Sequence, residues 1–351
     1  VRGVLLGIAL VLITTACSSS GRSHAQPATP TTQQQAPPPS RIAWTALANP
    51  LLRRPGTAVK DPALVAFDGG WVALYSEVDA QGTWRIGIAH STDLTAWTAF
   101  TTMPHDPATQ GEASPDVVHD PSGQYVVTYQ SFPHDRAGGE AKLYARTTAD
   151  FRTFSPPIRL AATLDAAPDD RLIDAALAWT PAGLMLGYKI GSTAGDATQH
   201  FEIARSTTGT LAGPWELVGR PNIVVYNDTI ENYQFIDIDG TWMLLAASNT
   251  FDRPELFHLV GNPKDPKGWL DWSAARELQV PQEPWNTGTG VTGDTYEHAN
   301  CAYLVDHRAV DGHFYLVYSD ASEKKTFGGE GHAVLALARS TDLVHWSVPP
   351  H

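Results

Sequence analysis

The chain has 351 residues, 42% of them apolar, and a formal net charge of −13 from 24 basic and 37 acidic residues. This length and apolar content support a sizeable core. The deficit of cations argues against nucleic acid or an anionic membrane surface as a partner, because no excess positive charge replaces their counterions.

The first forty residues stand apart from the rest. Arg2 is a short basic segment and residues 4–13 are an apolar run, too short for a membrane-spanning helix but suited to a signal peptide. The run ends at Thr14-Thr15-Ala16-Cys17-Ser18, which resembles a bacterial lipoprotein cleavage site, with Thr14 where a Leu usually sits. On that resemblance residues 1–17 are a signal peptide and Cys17 is the lipidated N-terminus. The protein is then extracytoplasmic and held at the bacterial cell membrane by lipid alone; an ordinary signal peptide with an incidental Cys is the other reading. Residues 18–40 are rich in Ser, Thr, Gln and Pro, a composition that buries no core and serves as a linker. Only Cys17 and Cys301 exist, so a lipidated Cys17 leaves no intrachain disulfide, and Cys301 reads as a small core residue.

From residue 41 onward one unit recurs five times. Its clearest copies are IGIAHSTDLTAW (86–97) and LALARSTDLVHW (335–346). Weaker copies are LYARTTADFRTF (143–154) and FEIARSTTGTLAGPW (201–215), and the most degraded is LFHLVGNPKDPKGWLDW (256–272). Each is an apolar run, a polar turn and an aromatic residue, the pattern of two antiparallel strands. Before each copy comes another apolar strand: WVALYS, YVVTYQS, LMLGYK, WMLLAAS and FYLVYS. A Gly-containing turn precedes each of these, at Gly69-Gly70, Gly123, Gly183, Asp239-Gly240 and Asp311-Gly312, as tight hairpins require. A further short strand precedes each turn, over 62–67, 116–119, 175–179, 233–238 and 301–305.

Five units of four strands, at a period of roughly 55 to 70 residues, predict an all-β fold, a five-bladed β-propeller of four-stranded antiparallel blades over residues 41–351. A sandwich or jelly roll does not explain the repetition. Residues 42–47 are expected to dock on the last blade and help close the ring. The insertion 278–297 reads as a long loop near the active face.

The first strand of each propeller blade lines the central channel, so residues where these strands start gather at one mouth. They are Lys60-Asp61-Pro62, Ser114-Pro115-Asp116, Leu172-Ile173-Asp174, Ile230-Glu231-Asn232 and Glu297-His298-Ala299-Asn300. In four of the five blades a carboxylate stands there directly before the apolar strand, and clustered buried carboxylates are normally paired or functional. Asp93 and Asp342 of the STDL turns are assigned to turn structure.

KDPALVAF, SPDVV, RLIDAALAW, IENYQFIDIDGTW and the STDLxxW units, taken in order, resemble glycoside hydrolase family 43 and its relatives, the arabinofuranosidase, xylosidase and arabinanase clan. The resemblance covers residues 57–349. It implies a five-bladed propeller that hydrolyses a pentosyl bond, most typically α-arabinofuranosyl, in a polysaccharide or oligosaccharide with inversion. It also implies Asp61 as general base, Asp174 as tuning residue and Glu231 as general acid. The chemistry is sound on its own terms. Inversion needs one carboxylate to activate water and one carboxylic acid for the leaving oxygen, about 6.5–9.5 Å apart. An adjacent Asp174 carboxylate is expected to raise the pKa of Glu231.

Two departures bear on the pocket: Ala175 stands where the family often has Pro, and Asn232 where it often has Gly. Glu112 and Glu297 are competitors for the acid role. Arg171 reads either as an orienting partner of Asp174 or as a surface arginine. Asp116 matches a blade-two Asp that binds substrate or supports structure, and His298 matches an axial His. Trp84, Tyr226 and Trp285 are placed in loops where they could stack on sugar rings. No HExxH or Cys cluster is present, so no cofactor is expected; an axial calcium or sodium ion fits the fold without support from spacing. The protein is expected to be a monomer. Two alternatives are a non-catalytic glycan-binding propeller and a related propeller acting on other sugars, a fructosidase or a glycoside phosphorylase.

Overall fold

The computed structural model describes residues 41–107, 109–133, 141–164, 170–192, 200–223, 230–248, 254–285, 300–320 and 333–350. Blade one comprises β1 (Thr57–Phe67), β2 (Gly70–Asp79), β3 (Trp84–Ser91) and β4 (Thr98–Thr102). Blade two comprises β5 (Thr109–His119), β6 (Tyr125–Pro133), β7 (Lys142–Thr148) and β8 (Ile158–Arg159). Blade three comprises β9 (Asp170–Thr180), β10 (Gly183–Ser192), β11 (His200–Ser206) and β12 (Trp215–Gly219). Blade four comprises β13 (Ile230–Ile238), β14 (Thr241–Ser248), β15 (Pro254–His258) and β16 (Arg276–Glu277). Blade five comprises β17 (Asn300–Asp306), β18 (Phe314–Asp320), β19 (Val334–Ser340) and β20 (Trp346–Ser347). Each blade is an antiparallel sheet with its strands in chain order. The protein is the expected five-bladed β-propeller.

The core is a series of layers between neighbouring blades. Leu184, Leu186 and Tyr188 of β10 pack toward blade two, while Met185 packs toward blade four. Side chains of a strand alternate between faces, so a blade covered on both sides reads as a continuous apolar run. That is why WVALY, LMLGY and FYLVY show no alternation.

The STDL turns are held by their own side chains. Ser91 Oγ accepts from the Leu94 amide at 2.8 Å, and Ser340 Oγ does the same for Leu343 at 2.8 Å. Asp93 and Asp342 accept amides two residues on, at 2.9 and 2.8 Å. Their carboxylates serve the turns between outer strands. The degraded copy in blade four differs: residues 266–270 form a 3-10 helix, Trp269 and Trp272 enter the core, and the outer strand moves on to β16.

The N-terminal segment closes the ring on blade five. Ile42, Trp44 and Leu47 are buried with Tyr315, Leu335 and Leu337. The outer edge of β19 is satisfied in three steps. Leu52 pairs with Leu335 through amide-to-carbonyl bonds of 3.2 and 3.0 Å. The Asn49 side chain imitates a strand at Leu337, donating to its carbonyl at 3.0 Å and accepting from its amide at 2.9 Å. β20 takes Arg339 and Ser340.

Candidate active site

The inner strands are longer than the sequence predicts, and this changes the geometry of the site. β1, β5 and β9 begin several residues before the expected positions. The key residues therefore lie inside the strands, at a β-bulge, and not where the strands start. Register breaks between Lys60 and Ala63, Ala113 and Asp116, Ile173 and Ala176, Glu231 and Gln234, and Asn300 and Tyr303. One residue in each bulge has left-handed backbone: Asp61 (φ 50°), Ser114 (52°), Asp174 (55°), Asn232 (50°) and Cys301 (49°). Bulges of this kind bend a strand and re-aim side chains.

One residue on the second strand faces each two-residue bulge. It is Tyr75, Tyr129, Tyr188 and Tyr318 in four blades and Ala246 in blade four. Blade four carries Tyr233 where the other bulges carry Pro62, Pro115, Ala175 and Ala302. A tyrosine thus fills this level of every blade, supplied by one strand or the other.

The register corrects the idea that four blades hold equivalent carboxylates. Asp61 and Asp174 share the bulge position, Glu231 stands one residue before it, and Asp116 two residues after it. Asp61, Asp174, Asp116, Ser114, Asn232 and Cys301 line one axial cavity. Glu231 lies beside this cavity, immediately before Asn232.

Asp61 is buried, with Lys60 Nζ 3.6 Å from Oδ1. The Cys301 thiol bonds to Asp61, and its pKa is pushed well up, first by burial and then by the Asp61 charge. Asp174 is buried and its amide donates to Gln130 Oε1 at 2.7 Å. Its pKa is pushed up to about 6, first by burial, then by the Glu231 carboxylate and more weakly by Asp61. Lys189 and a hydrogen bond with Ser114 pull it back. Asp174 thus feels both other candidate carboxylates.

Lys189 is the residue that sequence reasoning missed. Its side chain is 2% exposed, and Nζ donates to Glu231 Oε1 at 2.7 Å. The register places it level with Ser76 and Gln130 on the second strands. Those two accept the bulge amide of the next blade, Ser114 and Asp174 respectively. A lysine cannot accept, and it reaches the next blade's Glu231 instead. The visible signal is a lysine inside the buried run LMLGYKIG. The expectation that Asp174 raises Glu231 is met by the converse effect, the Glu231 charge raising the Asp174 pKa.

Asp116 is buried, and burial pushes its pKa up to about 7. Neither carboxylate oxygen has a well-placed donor among the described residues, the amides of Leu177 and Val117 only tempering the shift. The Tyr303 hydroxyl passes nearby to donate to Val117 O at 2.8 Å.

The other candidates separate. Trp84 is the first residue of β3, not a loop residue; Lys60 Nζ lies 5.7 Å from its ring centroid and Phe132 packs 6.1 Å away. Trp285 packs half-buried against the layer between blades four and five. Glu112 is fully buried outside the cavity lining, accepting from the Asp106 amide at 3.1 Å with His105 3.5 Å away. Arg171 is half-buried and is not among the charges acting on Asp174. Tyr226, Glu297, His298 and Cys17 lie outside the described residues. The departure at Asn232 has a physical explanation: its left-handed φ is the conformation glycine supplies, and Asn tolerates it best among other residues.

No protein-family model and no curated protein matches the chain. Solved structures do. One is an alpha-L-arabinofuranosidase from Lactobacillus brevis, 15% identical at TM-score 0.59, covering 86% of this chain and 97% of that one. Another is a putative glycoside hydrolase from Parabacteroides distasonis, 15% identical at TM-score 0.58, covering 85% and 95%. A third is a thermostable family-43 glycoside hydrolase, 14% identical at TM-score 0.56, covering 84% and 94%. At these identities the likeness is one of fold, the five-bladed propeller that these proteins and this chain share over most of their length.

Proposed function

We propose that the protein is a glycoside hydrolase that cleaves a pentosyl bond, α-arabinofuranosyl in the first instance, with inversion at the anomeric carbon. The observation that carries this reading is geometric: Asp61 and Asp174 line one axial cavity and Glu231 stands beside it, held by Lys189. Asp61 takes a proton from water as the water oxygen bonds to the anomeric carbon. The glycosidic C–O bond breaks on the opposite face, and Glu231 gives its proton to the departing oxygen. Asp174 holds the pair in register and shares its charge. The lipid-anchored, extracytoplasmic setting expected from Cys17 belongs to the same proposal and fits a glycan substrate met outside the membrane.

A second reading, a glycan-binding propeller without turnover, draws on the Lys189–Glu231 pair, which favours ionised Glu231 over the acid form. A panel of aryl pentosides and cell-wall arabinans, with wild type and Glu231→Gln side by side, separates the two. Release of sugar by wild type alone supports hydrolysis. Binding without product at any pH supports the second reading.

A further inference from the structure

Lys189 is the most deeply buried cation beside the site, and its ammonium points at a single candidate carboxylate. Burying an ammonium is expensive unless it is paired. Here its partner belongs to a different blade, so the contact bridges β10 and β13 across an interblade boundary. We propose that Lys189 is a positioning residue for Glu231, fixing the orientation of its carboxylate and governing its charge. This rests on the reading of Glu231 as the acid, yet its geometry stands whether or not the protein turns over substrate.

Three observations lead there. The Nζ–Oε1 separation is 2.7 Å, a charge-assisted hydrogen bond. Lys189 is 2% exposed while Glu231 is 31% exposed, so the lysine is the fixed member and the glutamate the member that reaches solvent and substrate. The equivalent side chains Ser76 and Gln130 hold backbone amides of the next blade, so this position already serves to anchor the neighbouring inner strand. In blade three that anchor has become a charge.

The groups facing Glu231 include Lys189 from β10, Asp174 from β9, Tyr233 from its own strand and Cys301 from β17. Asp61 of β1 acts on the group through Asp174. Lys189 alone among them is cationic. It favours ionised Glu231, while the Asp174 carboxylate opposes it. Removing the lysine therefore moves the protonation of Glu231 to higher pH.

The test is a carbon-13 NMR titration of glutamate-labelled protein, with the Glu231 signal assigned by its loss in Glu231→Gln. In Lys189→Met the Glu231 midpoint is expected to rise by about one pH unit or more. In Lys189→Arg, which keeps the charge, it is expected to stay near wild type. If hydrolysis is found, the alkaline limb of kcat against pH shifts upward in Lys189→Met by the same amount. An unchanged midpoint in folded Lys189→Met overturns the proposal. Lys189→Gln, which keeps a hydrogen-bond donor without the charge, reads the proposal if Lys189→Met does not fold, and an unchanged midpoint there overturns it as well. Absence of hydrolysis alone would refute the functional reading and leave the titration to decide this one.

Discussion

Asp61 and Asp174 hold the same bulge position of blades one and three, at φ 50° and 55°, and both carboxylates line one cavity. An acidic side chain tolerates left-handed backbone better than most, because its short polar group bonds locally. Asp or Asn fills three of the five bulge positions, beside Ser114 and Cys301, at the place where the channel can use an oxygen.

Asp61→Asn removes the proposed base without changing shape. Turnover of any substrate found is expected to fall by about 10²–10⁴-fold in kcat, with the circular dichroism spectrum retained. Turnover within a few-fold of wild type would remove Asp61 from the base role.

Asp116 makes stability depend on pH. The folded protein keeps this proton up to about pH 7, whereas the reference carboxyl releases it near 3.8. Its contribution is therefore full below the lower value and is lost as pH rises to 7. Asp174 acts in the same direction up to about pH 6. Unfolding midpoints of wild type are expected to fall across this range, and Asp116→Asn to flatten the slope by on the order of 2–4 kcal/mol in total. Parallel slopes for the two proteins would show that Asp116 is ionised in the fold.

Asn232→Gly is expected to fold as well as wild type or nearly so, because φ 50° is open to glycine. Asn232→Val places a β-branched residue in left-handed backbone and is expected to lose about 1–2 kcal/mol or more in urea unfolding. Equal stability of the two variants would contradict the bulge conformation.

Asn49 completes the edge of blade five and also donates to buried Glu283 at 2.6 Å. Asn49→Ala leaves the Leu337 amide and carbonyl and the Glu283 carboxylate short of partners. A loss of about 2–3 kcal/mol is expected in chemical denaturation, and faster exchange of the Leu337 amide should accompany it. A loss below about 0.5 kcal/mol would mean that the side chain does not close the ring.

Much of the architecture was legible in the chain. The turn residues Ser91, Asp93, Ser340 and Asp342 recur because local hydrogen bonds define a turn, and local bonds leave local signatures. The tyrosine within most second strands recurs in the sequence, and blade four shows the limit of that pattern: Ala246 breaks it, and the bulge register places Tyr233 at the same level. The copy at 256–272 predicts a strand pair, but Trp269 and Trp272 turn inward, a choice made by tertiary burial.

The sequence by itself determined the blade count, the order of strands and which residues could meet at the axis, because strand periodicity and turn chemistry act over a few residues. The tertiary structure alone decided the bulge register, and with it which carboxylates are equivalent. It also decided the Lys189–Glu231 contact. The first depends on how a blade's first strand pairs with its second, and the contact on how one blade lies against the next, a relation between residues 42 positions apart that no local pattern encodes.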